Sequence, residues 1–401
     1  MAALSVLIDT TMAGIAEGER SGVYQYQRHL VNGLLQAGDL ALTLLFALPR
    51  ARHDAQIAAF VREAQAEGAA PAVQRGRLPL RLLRRVPWPA EGWRTRHDVF
   101  HGPAHLLLAS RAPAVVTVHD LAYLHDQGAA VPAHTLAADE RAALALRQRF
   151  FAELARQTEQ TLRRAAHVIT VSEHTRSLLR RHFHLPPQRV TAVPLGLRAE
   201  AVAPPSVAAF AHWQQRLGLQ PPYLLYLGNL DPNKNLATLL HGFAAYRRQG
   251  GRCPLLLAGR SVFYERVLQA LAQQLGVADA VRFLGRVDDA ALPVLYRGAQ
   301  TVLMPSRLEG FGLPAIEAMA CGTPVVVAAA GALPEVAGEA ALQVPPDSAD
   351  GFAEALLRIE GDEALAQRLR RAGPRQAARF SWRHTAEATA AVYRRVALEA
   401  A

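Results

Sequence analysis

Two glutamates, Glu309 and Glu317, stand with seven residues between them in the stretch PSRLEGFGLPAIEAMACGTPVV (305–326), and a glycine-rich GFGLP turn fills most of the gap. A carboxylate accepts two hydrogen bonds side by side, which suits a vicinal diol. Glycines let a ligand come close to the backbone. Pro314 suits the start of a short helix, AIEAMA, which Gly322 stops; such a start offers unpaired N–H groups to an anion. A long ligand laid across this turn would put a phosphate on the amides and hydroxyl-bearing ends on the two carboxylates. Taken alone, Glu317 could merely complement the helix dipole and Glu309 could be a solvated loop residue. The glycine turn and its place at the end of the apolar run AQTVLMP favour the ligand reading.

Lys234 is the one lysine in the chain; every other member of the 44 basic side chains is arginine. A single ammonium kept where arginine fills all other sites suggests a place that a planar fork does not suit. His119 and Asp120 end the run AVVTVHD, where an imidazole can bond a hydroxyl of a bound ligand. His101, in VFHGP, also follows a strand and is a candidate for an acceptor-facing side chain. Ser172 reads most simply as a helix N-cap.

The elements that must carry these residues alternate throughout. LSVLID, ALTLLFAL, DVFH, AVVTVHD and HVITV form one series of apolar runs separated by helical patterns, and YLLYLG, CPLLLAG, AVRFLG, AQTVLMPS and TPVVVAA form another. Buried strands separated by helices mean parallel sheets with crossover helices, and two series mean two doubly wound α/β domains. Small residues and prolines collect between 197 and 222, where the break falls. We therefore expect a first Rossmann-like domain over 1–200, a second over 201–380, and a last helix, 381–401, packing back on the first. Ligands of open α/β sheets sit beyond the carboxyl ends of the strands, so two such domains facing each other would make a cleft.

The 401 residues, 51% hydrophobic, suffice for two cores. The net charge of +10 favours an anionic partner: a nucleotide, a phospholipid surface or a nucleic acid. No apolar run is long enough to span a bilayer, and MAALSVLIDTT reads as a first strand rather than a signal peptide. The two cysteines, Cys253 and Cys321, suggest neither a disulfide framework nor a metal site, which fits a reducing cytoplasm. The tract RGRLPLRLLRRVPWP, Arg75–Pro89, alternates arginine with leucine, and it reads equally as an interfacial membrane patch or as a partly buried segment with solvated arginines.

The 305–326 stretch resembles the Glu-x7-Glu signature of the family 4 (group 1) retaining glycosyltransferases. SGVYQYQRHLVNGLL, VFHGP, VVTVHDLAYL, AAHVITVSEHTRSLL, YLLYLGNLDPNKNLATLL, VRFLGRVDDAALPVLYRGA, GALPEVAGEAAL and FSWRHTAEATAAVYRR resemble its further blocks, in order and over nearly the whole chain. The resemblance implies the GT-B fold: two Rossmann-like domains facing across a cleft. It implies that Glu317 binds ribose hydroxyls and Glu309 donor-sugar hydroxyls. The amides of Phe311, Gly312 and Leu313 would meet sugar and diphosphate, Lys234 would stabilise the leaving group, and His119 would lie near the anomeric carbon. Gly22, after Arg20 and Ser21, would let the backbone approach phosphate or acceptor. Two departures stand out. Asn229 follows the strand glycine, and Asn233 precedes the lysine, where members of the family often carry arginine; Arg260 is then the candidate helper of the phosphate clamp.

The closest resemblance within the family is to bacterial mannosyltransferases of surface-polysaccharide assembly. It implies a hexose, mannose from GDP-mannose, moved to a saccharide or polyprenyl-diphosphate-linked acceptor at the cytoplasmic face of the membrane, with no cofactor and no essential metal. Other donors (UDP-glucose, UDP-GlcNAc or a rhamnosyl donor) and a non-transferring sugar-nucleotide epimerase stay open. A nicotinamide oxidoreductase lacks its GxGxxG fingerprint here after the first strand, and no nucleic-acid recognition module is present.

Overall fold

The structure is a computed structural model. It describes residues 3–15, 22–47, 53–65, 70–75, 96–104, 107–125, 138–261 and 263–401. The chain divides into two compact units, one made of Met1–Leu121, Glu153–Gly196 and Ser381–Ala401, the other of Ala122–Ala152 and Leu197–Phe380.

Among the described residues, the first unit holds seven parallel strands: β1 (Leu4–Asp9), β2 (Leu40–Phe46), β3 (Ala72–Arg75), β4 (Val99–Gly102), β5 (Ala114–Val118), β6 (His167–Thr170) and β7 (Val190–Ala192). Their order is β3-β2-β1-β4-β5-β6-β7. The chain works outward from β1 and then restarts on its other side with β4, so Val6 lies opposite both Leu42 and Val99. That reversal is the switch point at which doubly wound sheets bind ligands. β4, β5 and β6 are buried along their whole length. Burial on both faces is why they read as continuous apolar runs rather than alternating ones.

The helix Gly22–Ala37 buries Tyr24, Tyr26, Leu30, Val31 and Leu34. The helix Trp382–Ala400 lies against it, capped by Ser381, whose Oγ accepts from the His384 N–H. A Cβ at Gly33 would fall 2.8 Å from the Ala386 Cβ, so the missing side chain permits the approach. Thr385 Oγ1 fastens the same helix to the Pro194 carbonyl at 2.7 Å.

The second unit holds β8 (Tyr223–Leu227), β9 (Leu255–Ala258), β10 (Val281–Gly285), β11 (Ala299–Met304), β12 (Val325–Ala328) and β13 (Leu342–Val344). They are ordered β10-β9-β8-β11-β12-β13, again with a switch point, here between β8 and β11. The loops leaving β8 and β9 touch: a Cβ on Gly259 would lie 1.7 Å from the Gly228 carbonyl oxygen, so only glycine fits there.

Three strands escaped the sequence pattern: β3, β7 and β13. Each is three or four residues long and stands at the edge of its sheet, with at most one fully buried side chain. An edge strand has one neighbour and less to bury, so it needs no apolar run.

Candidate active site

In the second unit, the two sides of the switch point carry the strongest candidates. β8 ends at Leu227, and its loop turns through a short 3-10 segment, Pro232–Lys234. Asp231 caps that segment by accepting from the Asn233 N–H. Arg147 holds the Asp231 carboxylate with two bonds, at 2.8 and 3.1 Å. The loop after β11 brings Glu309 to the same place: Lys234 Nζ donates to Glu309 Oε1 at 2.7 Å, and Ser306 Oγ donates to the same oxygen at 2.7 Å. The lysine and the glutamate keep 22% and 16% of their side-chain exposure, so the pair is open to a ligand.

Asn235 explains why the two loops stay in register. It takes a left-handed conformation, φ 58°, which asparagine tolerates better than most residues. Its Nδ2 donates to the Pro305 carbonyl at 2.9 Å and to the Pro346 carbonyl at 2.7 Å, and Thr238 donates to its Oδ1. One buried side chain therefore ties the loops after β8, β11 and β13 together. Asn235 and Ser306 were not among the residues singled out from sequence.

The glycine turn behaves as its composition predicts. Gly312 has φ +105° and caps the helix Leu313–Ala320. Among the described residues, no acceptor is seen for the amides of Phe311, Gly312 and Leu313. Free amides at a helix start draw an anion. The Phe311 ring is buried edge-on against Phe380, centroids 5.3 Å apart, which fixes the turn from below.

Glu317 stands differently from Glu309. It is 0% exposed, and both of its oxygens are taken. Arg198 donates from Nε to Oε1 at 2.6 Å and from a terminal nitrogen to Oε2 at 3.0 Å, while the Tyr296 hydroxyl donates to Oε2 at 2.7 Å. Burial works against the Arg198 charge, but Glu317 beside it prevails and holds the guanidinium above its usual range. Burial, reinforced by Glu317, also raises the Tyr296 phenol well above its usual value. The motif's two glutamates thus divide: Glu309 faces outward with Lys234, and Glu317 is the centre of a buried ionic cluster. Neither Arg198 nor Tyr296 was legible as its partner.

Asn229 is exposed, and its carbonyl accepts from the Tyr226 hydroxyl at 2.8 Å. Arg260 is exposed on the neighbouring loop, whose backbone is joined to the loop after β8 by a bond from the Leu230 N–H to the Arg260 carbonyl at 2.7 Å.

In the first unit, His119 follows β5, and its Nε2 lies 2.9 Å from the Pro103 carbonyl oxygen, just beyond β4. A carbonyl only accepts, so Nε2 carries the hydrogen. Burial lowers the pKa of the ring, only partly opposed by the Pro103 bond and by Asp120, so the imidazole is neutral and Nδ1 is an acceptor. Gly22 opens its helix, and among the described residues nothing lies within 4 Å of where its Cβ would stand. His101 corrects the expectation of an acceptor-facing side chain. It is wholly buried, bonded to Thr117 Oγ1 at 2.9 Å and to the Tyr393 hydroxyl at 2.6 Å, because β4 is a central strand covered on both faces. Ser172 is an N-cap, accepting from the Thr175 N–H. Arg20, Ser21 and all of the Arg75–Pro89 tract except Arg75 lie outside the described residues; Arg75 pairs with Asp54 at 2.8 Å. Among the described residues, no helix is long and apolar enough to cross a membrane.

Comparison with known proteins covers both units. Residues 208–376 match the family model "Glycosyl transferases group 1", and residues 22–201 match "Glycosyltransferase Family 4". The chain is 29% identical over 394 residues to the O-antigen chain mannosyltransferase B of Escherichia coli, covering 93% of this chain and 96% of that one. Among solved structures it resembles the sucrose-phosphate synthase of Thermosynechococcus elongatus, with TM-score 0.70, 24% identity and coverage of 99% and 100%. It also resembles the Anabaena HepE protein in complex with UDP and glucose, with TM-score 0.69, 17% identity and coverage of 98% and 99%.

Proposed function

Because the chain is a family 4 glycosyltransferase of GT-B fold, we propose that it moves mannose from a nucleoside-diphosphate mannose, with retention, to a hydroxyl of a saccharide on a polyprenyl-diphosphate carrier. The observation that carries this reading is the Lys234–Glu309 pair at the switch point of the second sheet, beside three amides for which no acceptor is seen. The likeness to the Escherichia coli mannosyltransferase, which runs through nearly the whole chain, supports mannose as the sugar and a growing polysaccharide as the acceptor.

In this mechanism the diphosphate lies on the Phe311–Leu313 amides, and Lys234 turns its ammonium toward it. The bond between the anomeric carbon and the phosphate oxygen breaks as the acceptor oxygen bonds the same face of that carbon. The acceptor's proton passes to the departing phosphate oxygen. Fixed donors aimed at the leaving group stabilise the charge that develops on it. Glu309, whose Oε1 already accepts from Lys234 and Ser306, orients the lysine and offers its other oxygen to sugar hydroxyls. His119 presents Nδ1 to a sugar hydroxyl as an acceptor. For Glu317 to serve the ribose, a diol must replace part of its Arg198 and Tyr296 pairing. Arg260 and Asn229 flank the diphosphate, and Gly22 leaves room for a ligand backbone contact.

The test is a panel of GDP-mannose, UDP-glucose, UDP-GlcNAc and TDP-rhamnose. Each is incubated with and without a synthetic polyprenyl-diphosphate saccharide, and the anomeric configuration of the product is read by NMR. We expect acceptor-dependent release of GDP from GDP-mannose and an α-linked product. GDP at about 100 times its Kd should stabilise the fold by about 2.7 kcal/mol. Release of nucleotide from a UDP-sugar alone would replace the donor; release from none would remove the reading.

A further inference from the structure

A chain of buried polar groups runs beneath His119 in the first unit. The Tyr393 hydroxyl lies 2.6 Å from His101 Nδ1, His101 Nε2 lies 2.9 Å from Thr117 Oγ1, and Thr117 Oγ1 lies 2.9 Å from the Tyr26 hydroxyl. All four residues are at most 1% exposed. They come from four elements: the helix Trp382–Ala400, β4, β5 and the helix Gly22–Ala37. The Tyr26 ring, so anchored, stands edge-on to the His119 imidazole, with centroids 4.7 Å apart and planes at 83°.

These contacts leave His119 little freedom. Its Nε2 is fixed on the Pro103 carbonyl, and its ring is braced by a tyrosine that is itself fastened at the hydroxyl. Nδ1 has no protein partner among the described residues. A buried polar network costs stability when any member is left unpaired, so a fully joined one holds its members in a single arrangement. A hydrophobic filling would supply packing without fixing the tilt of the ring.

We propose that Tyr26 is a positioning residue for the transfer reaction, fixed through Thr117 and His101 to Tyr393, and that it holds the His119 ring so that Nδ1 faces a hydroxyl of the transferred sugar. The inference rests on the role given to His119 under the proposed function. It assigns the final helix a part in catalysis through this network rather than through contact with substrate.

The test compares Tyr26→Phe and Tyr393→Phe, which keep the rings and remove only the hydroxyls, with His119→Ala and with Leu34→Ala. Leu34 is buried in the same helix as Tyr26 and lies outside the network, so its variant lowers Tm without touching the relay. Steady-state kinetics with GDP-mannose give kcat and KM, and ¹⁵N–¹H spectra of the histidine rings give the tautomer. Tyr26→Phe should lower kcat about tenfold, leave KM for the donor within about twofold, and turn the single Nε2–H form of His119 into a mixture, because a small misplacement of a reacting group costs rate steeply. Tyr393→Phe should shift the same quantities less. If His119→Ala lowers kcat while Tyr26→Phe changes neither kcat nor the tautomer, the relay is refuted and the role of His119 stands. If His119→Ala leaves kcat unchanged, the role of His119 falls, and the relay with it. If Leu34→Ala lowers kcat as much as Tyr26→Phe, the network acts through stability alone and the proposal is overturned.

Discussion

The two units solve different electrostatic problems. In the second, the candidate residues are ions held by counter-ions: Lys234 on Glu309, Arg198 on Glu317, Arg147 on Asp231. In the first, His119 and the buried groups joined beneath it are neutral: Tyr26, Thr117, Tyr393 and His101, with burial pushing both histidine pKa values down, that of His101 to about 3. Paired ions can exchange partners when a diphosphate arrives, because the charge it brings is met by charge already present. A neutral imidazole can bond a sugar hydroxyl without desolvating an ion. Under the proposed function, one unit would meet the anion and the other the hydroxyl groups.

The largest expected effect tests whether the ion pairs of the second unit are equivalent. Arg198→Ala strands the fully buried Glu317 carboxylate and should cost about 3–5 kcal/mol in urea unfolding. The double variant Arg198→Met with Glu317→Met should recover most of it. A single variant that unfolds like wild type would mean that the buried cluster is not structural. Lys234→Ala removes the half-buried pair instead. It should lower kcat about 100-fold through lost stabilisation of the leaving group, with Tm nearly unchanged. Lys234→Arg should restore little, since the planar fork places its charge differently. Unchanged turnover in Lys234→Ala would erase the contrast between the units.

The neutral side of the comparison is tested by pH. His101 has a folded pKa of about 3, against about 6.5 for a free histidine. The folded state therefore binds fewer protons than the unfolded one between those values. Its contribution to stability is complete above pH 6.5 and falls by about 1.4 kcal/mol per unit as the pH drops toward 3. His167, lowered to about 4 chiefly by burial and then by Arg395 and Arg189, adds a second slope of the same sign. Urea midpoints at pH 7 and pH 5 should show the loss, and His101→Gln should remove one proton's worth of slope. An unaltered slope would mean that His101 is not the titrating group. The smallest expected effect is that of a chelator: turnover with and without EDTA should agree, because in the proposed mechanism Lys234 and the helix-start amides hold the diphosphate.

What could be read from the sequence follows from how local each feature is. Central strands announce themselves because burial on both faces forces continuous apolar runs, while β3, β7 and β13, at the sheet edges, carry no such signal. The Glu-x7-Glu spacing and the solitary lysine are visible in a line of text. Their grouping is not: Lys234 and Glu309 are 75 residues apart, Glu317 and Arg198 119 apart, and His101 and Tyr393 292 apart. Glu317 shows the limit most plainly. Its motif places it on a helix beside a glycine turn, but nothing local reveals that a buried arginine occupies it. Asn235 had a usable signal, an asparagine closing a tight turn, where a left-handed residue is common.

The order of segments in the first unit has a consequence for how the protein is made. Residues Ser381–Ala401, which supply Tyr393 to His101, leave the ribosome only after all of the second unit. Until then the nascent first sheet carries a buried histidine whose Nδ1 lacks its phenol partner. The first unit is thus the first begun and the last finished, and a chain clipped before residue 381 would hold a complete second unit beside an unfinished first one.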